Sequence, residues 1–104
     1  MIEIAKLIKY IETDMIFVTN HAAERLRERK IKMRDIKVGI LNGIIIEQYP
    51  EDYPFPSCLI LGQTTDKRPV HIVMSDEGTA SRIITAYIPS TDKWELNYST
   101  RKGE

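Results

Sequence analysis

The chain of 104 residues contains a single cysteine, Cys58. That excludes an internal disulfide and a cluster of thiolate metal ligands, and it is compatible with a reducing compartment. Cys58 stands in Ser57-Cys58-Leu59-Ile60-Leu61, which reads as a buried strand, so it is expected to fill space rather than to react. No apolar run approaches the roughly 20 residues of a membrane helix. The N-terminal stretch Ile2 to Ile11 is interrupted by Glu3, Lys6 and Lys9, which argues against a signal peptide. A cytoplasmic chain with no membrane partner is the expectation.

Neither sign of charge is in excess: 15 Lys and Arg face 15 Asp and Glu. A duplex binder driven by bulk charge is usually basic, so the neutral total counts against that class. The two histidines, His21 and His71, lie in distant segments with no His-x-x-x-His pair, and no metal or other cofactor is expected. Gly39, Gly43 and Gly62 form no phosphate-cradling loop. No serine occupies a nucleophile-elbow context.

Against these absences, the segment from His21 to Arg29 repeats a basic or titratable residue every four positions: His21, Arg25, Arg29. On a helix these share a face. Three such groups in a row repel one another unless Glu24 and Glu28, a facing carboxylate or a bound phosphate offsets them. Positions 21 to 37 concentrate Arg25, Arg27, Arg29, Lys30, Lys32, Arg34 and Lys37 against Glu24, Glu28 and Asp35, whereas Glu47 to Asp52 carries acids and no base. Charge is therefore segregated along a neutral chain. The same run reads equally as a solvated helix surface.

The apolar rhythm divides the chain at Gly43. Ile4, Leu7, Ile8 and Ile11 recur at helical spacing. Met15 to Val18 is a short strand candidate, and Thr19 or Asn20 can cap a helix beginning at His21 and ending near Lys30-Ile31. Another helix is predicted from about Arg34 to Leu41, stopped by Asn42-Gly43. Beyond lie strand candidates at Ile44–Gln48, Cys58–Gln63, Val70–Met74 and Arg82–Ile88. Tyr49 to Pro56 contains three prolines and is expected to be an aromatic-proline loop. Connections this short favour hairpins. The expectation is one α+β domain over residues 1–104, with N-terminal helices packed on one face of an antiparallel sheet of about four strands. The tail from Ser99 to Glu104 is expected to be mobile.

Period two divides the third sheet strand into Val70, Ile72 and Met74 against His71 and Val73, and the fourth into Ile84, Ala86 and Ile88 against Ile83, Thr85 and Tyr87. Burying the apolar sets under the helices leaves His71, Thr85 and Tyr87 together on the open face. An imidazole, a hydroxyl and a phenol are suited to metal-independent cleavage of RNA, whose 2′-OH is an internal nucleophile. In that chemistry His21 or His71 acts as base or acid, Arg25 and Arg29 clamp the phosphate, and Tyr87 stacks or donates a proton. The alternative is structural: His71 bonds a neighbouring backbone group, and Arg25 and Arg29 pair with Glu47, Glu51 or Asp52.

His21-Ala22-x-x-Arg25-x-x-x-Arg29-Lys30-Ile31, Asp35-Ile36, Asn42-Gly43, Tyr49-Pro50, Leu59-Ile60-Leu61-Gly62, Arg68-Pro69-Val70-His71-Ile72-Val73, Ile83-Ile84-Thr85-Ala86-Tyr87-x-Pro89 and Trp94 follow one another in an order that resembles the DUF4258 family. That family is grouped with proteins of the RelE/ParE-like toxin fold. One departure is Lys30, where the family more often has glycine. The resemblance implies a RelE/ParE-like α+β domain, and candidate functional positions at His21, Arg25, Arg29, His71, Thr85 and Tyr87. Lys30, Lys32 and Arg34 extend the predicted phosphate- or RNA-binding set. Some members of the wider group are toxins that cleave mRNA at the ribosome and are held by antitoxins, and others do not cleave RNA. Two functions stand open: a RelE-like mRNA endoribonuclease with an antitoxin partner, or a non-enzymatic protein- or nucleotide-binding domain of the same fold.

Overall fold

The computed structural model describes residues 1–103; the part of the expected tail at Glu104 lies outside the described residues. The elements are α1 (Ile4–Glu12), β1 (Ile16–Val18), α2 (Asn20–Glu28), α3 (Met33–Leu41), β2 (Ile44–Tyr49), β3 (Ser57–Gln63), β4 (Pro69–Ser75) and β5 (Ser81–Tyr87). They form an open α+β fold in which the helices lie before Gly43 and most of the sheet after it.

The expectation of a purely antiparallel, roughly four-stranded sheet needs correction. The sheet has five strands in the order β1-β5-β4-β3-β2, and β1 runs parallel to β5, with Ile16, Phe17 and Val18 beside Ser81, Arg82 and Ile83. Local rhythm reveals a strand at Ile16–Val18 but not its distant neighbour. The remaining pairings, β2–β3, β3–β4 and β4–β5, are antiparallel, as the short connections require.

Period two also fails in β5. Ile72 stands opposite Ala86 and Met74 opposite Ile83, with a register shift beside Val73. The extra residue turns Ile83 into the core, fully buried, and leaves Ile84 47% exposed, reversing the sides expected for this pair. A bulge resets the alternation without altering composition, so the sequence pattern gives no warning of it.

The helices cover one face of the sheet. Leu7 and Tyr10 from α1, Leu26 from α2, and Ile36 and Ile40 from α3 join Cys58, Ile60, Val70, Ile72, Met74, Ile83 and Ala86 in one buried cluster. Burial pushes the Cys58 thiol up to about 12, as expected of a space-filling residue. Gly39 and Gly62 permit α3 to lie against β3: a Cβ on Gly62 would fall 2.0 Å from the Gly39 carbonyl oxygen, so a side chain there forces the helix off the sheet. Asn42 fixes the same junction, its side chain accepting from the Gln63 N–H and donating to the Gln63 carbonyl.

Thr19 caps α2 by accepting from the Ala22 N–H at 3.1 Å. Lys30, just beyond α2, has φ +58°. That left-handed conformation favours glycine, so the lysine at this position carries a backbone cost that glycine would not. On the other side of the molecule, Tyr10 and Lys6 of α1 both bind Asp76, at 2.6 and 3.0 Å, tying α1 to the β4–β5 turn.

Candidate functional site

The helix-free face of the sheet carries the polar residues of alternate positions. Glu47 and Tyr49 come from β2, His71 from β4, and Thr85 and Tyr87 from β5. Pairing of His71 with Tyr87 and of Val73 with Thr85 places the imidazole, hydroxyl and phenol on neighbouring rungs, as expected. They do not lie open. The segment after β5 returns across this face, and His71 and Trp94 are 0% and 2% exposed. The Trp94 ring meets His71 edge-on, with centroids 4.4 Å apart, and Tyr87 packs against the imidazole at 5.3 Å.

Both His71 nitrogens are engaged. Nε2 lies 2.7 Å from the Tyr98 carbonyl oxygen. A carbonyl only accepts, so Nε2 carries the proton. Nδ1 then accepts from the Tyr87 hydroxyl, at 3.2 Å. Burial pushes the His71 pKa below its ordinary 6.5, against the opposing pull of the Tyr98 carbonyl and Glu47; the neutral imidazole is favoured. Burial also pushes the Tyr87 phenol up. Tyr98 reaches the imidazole from a left-handed backbone with φ +58°, an uncommon conformation for a bulky residue.

Arg101 closes the cluster. Its guanidinium lies 4.7 Å from the Trp94 ring centroid and donates to both Glu47 oxygens, at 2.8 and 3.0 Å. This fork holds the Glu47 carboxyl below its ordinary range, with help from the Tyr49 hydroxyl. Burial and the Glu47 charge push Tyr49 up to about 12. The expectation of a mobile tail is corrected for its described part: Arg101 pairs with Trp94 in an isolated bridge as well as with Glu47.

The helix row His21, Arg25 and Arg29 divides rather than converging on a depression with His71. His21 is exposed, and its imidazole has no hydrogen-bond partner among the described residues. Arg25 pairs with Glu28 at 3.4 Å along its own helix. Arg29 reaches the sheet, donating to Thr85 Oγ1 at 3.0 Å and to the Ala86 carbonyl at 2.8 Å. Neither arginine pairs with Glu47, Glu51 or Asp52, the partners foreseen in the structural alternative; Arg101 takes Glu47.

A second polar region lies at the start of α3. Lys30, Lys32 and Arg34 surround a depression of about 430 Å³ together with Thr65, Asp66 and Arg68 from the β3–β4 connection. Asp35 builds it. Although buried, its carboxylate accepts from the Lys32 N–H at 3.0 Å and from the Thr65 N–H and Oγ1 at 3.1 and 2.7 Å. Burial pushes this carboxyl up, and these hydrogen bonds outweigh it, leaving the pKa below its ordinary 3.8. One carboxylate thus caps α3 and draws the β3–β4 connection against it. Arg68 donates from Nε to Asp66 and reaches the Lys30 carbonyl. Among the described residues Lys30, Lys32 and Arg34 have no carboxylate within salt-bridge distance.

Residues 18–88 match the model of the DUF4258 family, described as a domain of unknown function. The chain belongs to this family. No curated protein and no solved structure shows a significant match to it. The match spans Arg29, Lys30, Lys32, Arg34, Glu47, His71, Thr85 and Tyr87, whereas the Trp94, Tyr98 and Arg101 covering follows it in sequence.

Sequence reasoning overlooked Glu47, Tyr49, Tyr98 and Arg101 around His71, and Asp35, Thr65 and Arg68 around the basic depression. Alternation of Glu47 and Tyr49 on one strand was an available signal. The covering of His71 by a backbone carbonyl had none, since every residue supplies one. Among the described residues no group of three or more His, Cys, Asp or Glu could hold a metal, and no helix is long and apolar enough to cross a membrane.

Proposed function

We propose that this DUF4258 protein is an RNA-binding domain of RelE/ParE-like type that, in the closed form described above, holds phosphates without cutting them. The carrying observation is the row of Lys30, Lys32 and Arg34 beside Arg68, three of these cations lacking a carboxylate partner among the described residues. Guanidinium and ammonium groups around an open depression suit the tetrahedral oxyanions of a nucleic-acid backbone. Arg25 is paired with Glu28 and does not line the depression. With a neutral chain overall, affinity is local and salt-sensitive, which suits a message already positioned by a ribosome or other partner.

A second reading, the RelE-like toxin that cleaves mRNA and is restrained by an antitoxin, has one specific support. His71 with Tyr87, and Arg29 at the end of α2 with Thr85, form two hydrogen-bonded pairs beside each other on the sheet. A buried imidazole whose two nitrogens are both occupied reaches no substrate proton, however. Acid/base cleavage by His71 therefore requires Trp94 and Tyr98 to move away. His21 is accessible but has no facing group among the described residues to complete an acid/base pair.

The test uses end-labelled single-stranded RNA, free and on ribosomes. The expected result is binding that weakens with salt, with a log–log slope of about −2 to −3 for three to four phosphates, no strand scission, and binding lost in Lys32→Ala/Arg34→Ala. Salt-independent binding, or binding unchanged in that variant, overturns the RNA reading. Scission that disappears in His71→Ala, with the fold intact by circular dichroism, replaces it with the toxin reading.

A further inference from the structure

Next to the basic depression, and sharing Lys30 and Lys32 with it, an open apolar groove of about 540 Å³ runs between the end of β1, α2 and the start of α3. Its floor includes Val18, Ala23 and Met33, all half-exposed, and its rim is Arg27, Lys30 and Lys32. No rim cation has a carboxylate within salt-bridge distance among the described residues. The nearby Asp35 carboxylate is occupied by Lys32 N–H and Thr65, and Glu28 faces Arg25.

We infer that this groove docks an acidic amphipathic helix of a partner protein, apolar side chains on the floor and carboxylates on Arg27, Lys30 and Lys32. A floor of aliphatic and thioether groups holds helix side chains spaced three and four residues apart. It offers no aromatic ring on which a nucleic-acid base would stack. The rim carries one sign of charge only, which favours an acidic partner and disfavours a basic one. This proposal does not depend on RNA binding, which uses the other side of Lys30 and Lys32. Both being true, partner and RNA compete for those two lysines.

The test is selection from a random library of peptides about sixteen residues long, enough for some four helical turns, against the full chain. The selected sequences are expected to share apolar residues at three- and four-residue spacing with interspersed Asp or Glu. Their binding, read by fluorescence anisotropy, is expected to weaken at least about tenfold in Ala23→Arg, which fills the floor, and in Arg27→Glu/Lys30→Glu, which reverses the rim. Exchanging peptide acids for lysines should restore binding to the reversed-rim variant. Circular dichroism checks each fold, and the two variants alter the groove independently. The proposal is overturned by no enrichment, by a basic or patternless consensus, or by binding that survives both variants. Concentration-dependent self-association abolished by Ala23→Arg overturns it in favour of a second copy.

Discussion

The two faces of this molecule treat charge in opposite ways. On the helix-free face of the sheet, Arg101 is spent on Glu47 and Trp94, Arg29 on Thr85 and Ala86, and His71 on Tyr87 and Tyr98. Around α3 the cations Lys30, Lys32 and Arg34 surround a depression with no carboxylate partner among the described residues. The residue types best suited to chemistry are thus engaged by other parts of the fold, while free charge collects elsewhere. Chemical aptitude and availability are separate properties. A histidine on a polar strand face has the first, and only its neighbours decide the second.

Trp94→Ala makes the strongest attack on this contrast. Removing a buried indole that packs on His71 and Arg101 is expected to cost about 3–5 kcal/mol, read by urea unfolding. A loss below about 1 kcal/mol would mean that the segment does not seal the face, and His71 would then count as available.

Asp35→Ala tests the other face. Loss of a cap and of two bonds to Thr65 is expected to cost about 1–3 kcal/mol. The carboxyl is held below its ordinary 3.8, so its stabilisation is fully present above that value and is lost as pH falls through the folded value. The gap between the wild type and the variant should therefore close in strong acid. A gap constant down to that range would show that the carboxylate's hydrogen bonds are not its contribution.

A smaller effect follows from His71. Its folded pKa lies below the ordinary 6.5, so the unfolded chain takes up a proton first as pH falls. Stability should decline from about pH 6.5 downward and level off below the folded value. Comparing wild type with His71→Gln isolates this contribution. Identical pH profiles for the two would place the imidazole in water rather than beneath Trp94.

Lys32→Ala/Arg34→Ala should change stability least, by no more than about 0.5 kcal/mol, while weakening RNA binding. A large stability loss would show that these cations hold the fold, erasing the contrast between the two faces.

Much of the fold is legible in the sequence because its signals are local. Helical spacing at Ile4, Leu7, Ile8 and Ile11, the Thr19 cap, the stop at Asn42-Gly43 and the short hairpin links each act within a few residues. They place α1, α2 and α3 ahead of β2 to β5 and make three strand pairings antiparallel. Hidden features are non-local or insensitive to residue type. The parallel partner of β1 lies far along the chain, and the bulge beside Val73 exchanges the sides of Ile83 and Ile84.

The sequence by itself determined which groups this protein possesses: segregated cations on α2 and α3, and an imidazole, hydroxyl and phenol at alternating strand positions. Alternation was enough to bring His71, Thr85 and Tyr87 to one face. Only the tertiary structure decided their state. It carried Thr65 to Asp35 and laid the Tyr98 carbonyl on His71. The reason is physical. Periodicity sets direction within an element, but proton affinity and accessibility depend on what lies within a few ångströms in space, and those neighbours are supplied by segments remote in the chain.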